Sequence, residues 1–269
     1  MVEVYPFWKL SWRSREIQSR WAPLRGRIYN ASAFAEYEMV KRGFRDANVY
    51  QLDPSKFDVQ IDKVLRDGLG YRPILRSKQY TGYGHRHYPT DTIDKDTFIY
   101  GVVGRTQEQA DKFWGANQGS VDHTTIGQML GYPMCDIEFF NSVWLKDGNL
   151  DPMYEVALNT AGVDVDGDTV TVSGHPHLNR LIRYFGFNLI PHFAHSFDCK
   201  DALKFAETWL SLMRETDEEA TESCIKALNQ PMVWSLHNCI TYVEHPLFIG
   251  AANGYYTPKK KTVKWLPSA

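Results

Sequence analysis

The chain has 269 residues, of which 43% are apolar and 23% charged, and this composition excludes a disordered chain, a collagen-like repeat and a disulfide scaffold. Thirty basic residues against thirty-two acidic ones leave a formal charge of -2, so no global field favours nucleic acid or an anionic membrane. No stretch approaches the roughly 18 uninterrupted apolar residues of a membrane span, and the first residues lack the apolar run of a signal peptide. A cytoplasmic location with no membrane partner is therefore expected. Under cytosolic redox conditions Cys135, Cys199, Cys224 and Cys239 are expected to be packed thiols, nucleophiles or metal ligands, not structural disulfides.

Residues 1–50 read as helical and slightly basic, with nine Lys or Arg against five acids. Ser32 is placed to cap a helix over AFAEYEMVKR that ends at Gly43. The segment 66–96 is rich in Gly, Tyr, Pro and Asp and reads as an extended surface loop. A clearer unit starts at Thr97, where TFIYGVVG has the apolar run of a buried strand. Thr106 and Gln109 then form a capping box for a helix, and Asp122 caps a shorter one that stops at Gly131. Pro133 suits the first position of a helix over MCDIEFFNSVWL. DVDGDTVTVSG signals a hairpin turning at Asp166-Gly167. Beyond it the pattern predicts a helix around HLNRLIRYFG, a short strand FNLIPHF and a long helix from about Asp198 to Met213. WSLHNCITYV reads as a late strand and TVKWL as an edge strand. Helices and strands mix without strict alternation, so the expected fold is α+β, an irregular mixed α/β arrangement. The expected division is a helical, loop-rich region over 1–96 and a core over 97–269.

Two predicted helix starts carry chemistry. In LGYPMCDIEFF, Cys135 and Asp136 fall in a first turn; in LIPHFAHSFDCKDALKFA, His192 and His195 precede a helix and Cys199 falls in its first turn. A helix start presents unpaired N–H groups and a partial positive charge, which favours thiolate. Were the two starts to face each other, Cys135, Asp136, His195 and Cys199 would converge on one zinc or iron ion. The plain alternative is packed cysteines beside ordinary caps.

The two blocks resemble the markers of an uncharacterised prokaryotic and phage family, whose members read LGYP-x-Cys-Cys and PHFPCSF-x-Cys. The resemblance covers about residues 98 to 213. It implies a site at Cys135 and Cys199, with Asp136 at the family's second Cys and His195 at its third. Both departures exchange Cys for another metal ligand, which fits an ion better than a redox disulfide and argues against an all-Cys iron–sulfur cluster.

His192 and His123 are the acid–base candidates, and His85, His87 and Arg183 are assigned to the substrate pocket. The N-terminal WKLSWRSREIQSRWAPLRGR interleaves three Trp with six basic residues, a pattern suited to single-stranded nucleic acid, with Arg13, Arg15 and Arg20 as candidate contacts. A helix whose Trp face packs on the core explains the same pattern. GxGxxG after a strand, GxxxxGK and GxSxG are all absent. The leading expectation is a metal-dependent hydrolase or transferase acting on a small-molecule, nucleotide-like or nucleic-acid substrate, as in nucleotide modification. The alternatives are a non-catalytic nucleic-acid-binding protein with a structural metal, and a metal-free thiol enzyme pairing Cys135 or Cys199 with His195 or His192.

Overall fold

The computed structural model describes residues 8–79, 87–89, 97–118, 120–145, 151–253 and 257–267. In chain order these form β1 (Trp8–Trp12), α1 (Arg15–Lys41), β2 (Ala47–Leu52), α2 (Phe57–Arg66), β3 (Gly70–Gln79), β4 (His87–Pro89) and β5 (Thr97–Gly104). Then come α3 (Gln107–Ala116), α4 (His123–Met129), α5 (Met134–Phe139), α6 (Met153–Leu158), β6 (Asp164–Asp166) and β7 (Thr169–Ser173). The series closes with α7 (Lys200–Leu228), β8 (Met232–His237), β9 (Ile240–Glu244), β10 (Phe248–Asn253) and β11 (Lys261–Leu266). The fold is mixed α+β with an N-terminal helix, as the irregular alternation implies. Among the described residues no helix is long and apolar enough to cross a membrane.

Contacts divide the chain into two units, Met1–Ala35 with Glu138–Ala269, and Glu36–Ile137. The division falls inside two continuous helices, α1 and α5. It differs from the boundary expected at 96/97, because β5 pairs with both β2 and β3 and so ties residues on either side of that boundary into one sheet. The second unit carries the four-stranded sheet β2-β5-β3-β4. Successive residues of a strand face opposite ways, and both faces of β5 are covered. Val103 packs with Tyr37, Val40, Val64 and Leu69, while Val102 packs with Ala47, Ala110, Phe113 and Met129.

The first unit carries the seven-stranded sheet β1-β10-β9-β8-β11-β7-β6, antiparallel at every pairing except β11 with β7. Its inward residues include Trp234, Val243, Phe248, Val263 and Trp265, all fully buried. Gly250 is required here: a Cβ would stand 2.4 Å from the Phe185 ring. The amphipathic α7 bends at Asp217, whose backbone is extended (φ -157, ψ 87). That bend has a function in the fold. Asp217 Oδ1 accepts the N–H of Ala220 at 3.0 Å, capping the second half of the helix. The same carboxylate takes a forked bond from Arg27 of α1 at 2.6 and 2.7 Å, and the guanidinium holds it below the usual carboxylate range. Asp217→Ala should therefore lose about 1 kcal/mol of stability in a urea melt. Asp217→Asn keeps an acceptor for Ala220 and should recover most of it; equal losses would show that the ion pair, not the cap, matters.

Several expected elements differ in the structure. Ser32 caps nothing, since α1 runs through it, but the helix does end at Gly43 (φ +78), with Phe44 N–H bonding Met39 O at 2.9 Å. Part of the expected loop over 66–96 is the strand β3, which β5 recruits, with a register irregularity between Pro73 and Leu75. HLNRLIRYFG forms only two short 3-10 turns, Pro176–Leu178 and Arg183–Phe185. Asn179 breaks the helix by accepting Leu181 N–H on its own side chain and donating to Leu228 O. FNLIPHF forms no strand. WSLHNCITYV is not one strand but the hairpin β8–β9, reversed at Asn238 and Cys239, both left-handed (φ 46 and 67). TVKWL is an interior strand, flanked by β8 and β7. The β6–β7 hairpin is as expected, with the two-residue turn at Gly167-Asp168, one residue later.

Candidate metal centre

The first helix start is built by local signals. Asp122 caps α4, accepting Thr125 N–H at 3.0 Å, and Gly131 (φ +70) ends that helix. Pro133 O accepts the N–H groups of Asp136 and Ile137 at 3.0 and 3.1 Å, so Pro133 stands just before the first helical residue rather than at it. The expected long helix continues beyond α5 as a five-residue π segment, Phe140–Trp144, closed by Leu145 N–H to Phe140 O. Within the first turn Asp136 is buried, Cys135 is half-buried, and the Cys135 thiol approaches Asp136 Oδ1 at 3.8 Å.

The second start is held from several sides. Phe197 N–H donates to Thr160 Oγ1 at 2.9 Å, Phe197 O accepts from His175 N–H at 2.8 Å, and Asn159 Nδ2 donates to His195 O at 3.2 Å. Asp198 Oδ2 accepts the N–H of Ala161 at 3.2 Å, and the Phe197 ring packs edge-on against Trp265, centroids 4.9 Å apart. These bonds fix a segment that forms no regular structure of its own. Cys199 is the cap of α7: its Sγ accepts Ala202 N–H at 3.4 Å, and the residue is buried.

The ligand atoms of Cys135, Asp136, His195 and Cys199 all lie within 4.8 Å of one another. Zinc bonds of about 2.0–2.3 Å in a tetrahedron set neighbouring donors about 3.3–3.8 Å apart, so a small contraction brings this set to bonding geometry. Two soft sulfurs, one imidazole and one carboxylate suit zinc or ferrous iron. None of the four cysteines forms a disulfide. Comparison with protein-family models, curated proteins and solved structures gives no match for this chain.

The other expected site residues lie as follows. His192 is buried on the same segment as His195, its ring edge-on to Phe205 with centroids 4.9 Å apart. His123 is the first residue of α4, and burial lowers its pKa. Arg183 is buried and pairs with Asp151, with its guanidinium 5.0 Å from the Phe193 ring centre. His87 stands in β4 opposite Gln79, and His85 lies outside the described residues. Arg13 Nε donates to His245 O at 3.2 Å, while Arg15 and Arg20 are exposed. Two tryptophans of the basic stretch pack inward, Trp12 against Phe248 and Trp21 against Phe187. Sequence reasoning missed Asn159 and Thr160, whose bonds to the His195–Phe197 segment span 36 and 37 positions; neither residue type nor spacing signals such a clamp.

Proposed function

We propose that this protein is a cytoplasmic, transition-metal-dependent enzyme, a hydrolase or transferase whose zinc or iron is held by Cys135, Asp136, His195 and Cys199. The observation that carries the reading is the convergence of those four ligand atoms within 4.8 Å. The carboxylate among them favours catalysis. Structural zinc sites are typically built from cysteine and histidine alone, whereas carboxylates recur where the ion does chemistry. Asp136 is the hardest donor of the set and the one that yields most readily to water or substrate. A zinc or iron ion held by these residues would supply Lewis-acid chemistry to a substrate oxygen. His192, on the same segment as His195, is the acid–base group we assign, with His123 as the second candidate; His85, His87 and Arg183 are assigned to the pocket. The resemblance of the LGYP and PHF blocks to the phage family supports a shared site, and two cysteines are too few for an all-Cys iron–sulfur cluster. The exposed Arg15 and Arg20 support a nucleotide-like or nucleic-acid substrate.

A second reading rests on the donor count, since four protein ligands also complete a closed, structural centre. The protein is then a non-catalytic nucleic-acid-binding module. Cobalt(II) substitution separates the two. In the enzyme reading, azide displaces the carboxylate and shifts the visible cobalt bands. An unchanged spectrum, with oligonucleotide binding that weakens with salt by about 0.7 in log–log slope per phosphate contacted, favours the closed centre.

A further inference from the structure

Sulfur is the donor in this set that mild oxidants attack, and the set holds two. The Sγ atoms of Cys135 and Cys199 lie within 4.8 Å of each other, against about 2.05 Å in a disulfide. A change of rotamer about one Cα–Cβ bond moves a sulfur by about 3 Å, enough to close that gap. The two thiols also differ in access. Cys135 is half-buried, whereas Cys199 is 6% exposed.

Building on the metal reading above, we propose that Cys135 and Cys199 form a peroxide-responsive release switch for the ion. Cys135 sulfur attacks the peroxide, the O–O bond breaks, and a sulfenic acid forms with loss of one water. Cys199 sulfur then attacks the sulfenic sulfur, the S–S bond forms, and a second water leaves. Overall, two metal-bound thiolates, one hydrogen peroxide and two protons give one disulfide, two waters and the divalent ion. The thiolates lose two electrons and the peroxide gains them. Asp136 and His195 alone supply two donors, too few to retain the metal. Cys239 is half-buried like Cys135, so what singles out this pair is the nearness of a second sulfur, not access alone. Cys224 is fully buried with its thiol directed to Asn188 O at 3.8 Å, and Cys239 sits in the β8–β9 turn outside the ligand set.

The experiment uses the zinc-loaded full chain, hydrogen peroxide, a chromogenic zinc chelator and intact-mass and peptide mass spectrometry. One zinc is expected to be released for each Cys135–Cys199 disulfide formed, with the mass lower by two hydrogens. Dithiothreitol should restore both thiols and zinc uptake. In Cys199→Ser, dimedone should trap a sulfenic acid on Cys135, and in Cys135→Ser it should trap nothing at Cys199. Zinc retained with both thiols intact overturns the proposal, as does release accompanied by sulfinic acid or by a disulfide to Cys224 or Cys239. A chain that binds zinc but never forms this disulfide overturns the switch alone. A chain that takes up no zinc overturns the metal reading and the release step with it.

Discussion

Cys199→Ser is expected to strip most of the metal from the purified protein while leaving its fold in place. Structural zinc binds small folded sites with about 10–16 kcal/mol at neutral pH, or about 3 kcal/mol for each of four ligands. Loss of one thiolate should thus weaken binding roughly 100-fold or more. The substitution suits the test because of what else Cys199 does. Its sulfur caps α7 through Ala202 N–H, and serine is among the best cap residues, so the helix start is kept or improved. A lost metal then reports ligation, not unfolding. Wild-type protein purified without chelator should carry close to one ion per chain by elemental analysis, as should Cys224→Ser and Cys239→Ser. Metal at the wild-type level in Cys199→Ser would remove that residue from the ligand set.

Acid should destabilise the protein between about pH 6.5 and pH 4, chiefly through two histidines held neutral by the fold. His245 is 1% exposed and stacks on Phe248. Its Nδ1 accepts Leu247 N–H at 3.1 Å, which leaves Nε2 to donate to Ala227 O at 3.0 Å. A second proton would have to sit on Nδ1, against the Leu247 N–H. Burial, with a smaller push from the nearby Arg13, accordingly brings its pKa down to about 4, despite the bond to Ala227. His177 also falls to about 4, first through burial and then through His175 and Arg214 beside it. The unfolded chain takes up these protons near pH 6.5, and the folded chain does so only near pH 4. The stability they contribute is therefore complete above pH 6.5, is lost as pH falls through that interval, and stays flat below it. For the fully buried His245 the loss is on the order of 3 kcal/mol. Urea melts across this range should show it, and His245→Gln, which offers no proton to titrate, should flatten the dependence. An unaltered slope in that variant would place the acid sensitivity elsewhere.

The sequence announced features whose causes lie within a few residues. Thr106 and Asp122 bond N–H groups three positions on, and Gly43 and Gly131 close helices at positive φ, so their roles follow from residue type alone. The donor residues were also visible, because Cys, His and Asp beside two helix starts are uncommon company. What holds the second start in place was not, since the clamp on the His195–Phe197 segment comes from Asn159 and Thr160. The same holds for β3, whose Gly and Pro content reads as loop until β5 lies beside it. It holds for β11 too. Val263 and Trp265 alternate as a strand should, but no local signal states that the neighbours are Val170 and Trp234.

The placement of β11 bears on how the molecule assembles in time. It lies between β8 and β7, and it follows every other strand of its sheet in the sequence. Until residues 261–266 arrive, β10-β9-β8 and β7-β6 are two separate ribbons, and the edges of β8 and β7 display backbone donors and acceptors with no neighbour. β1 waits as well, for its partner β10 begins at Phe248. Sheet closure is thus a late step, gated by pairings distant in sequence, for which loop entropy is spent before contacts repay it. The unfinished sheet is the species most exposed to edge-to-edge association with another chain, and the arrival of one six-residue strand removes both open edges together.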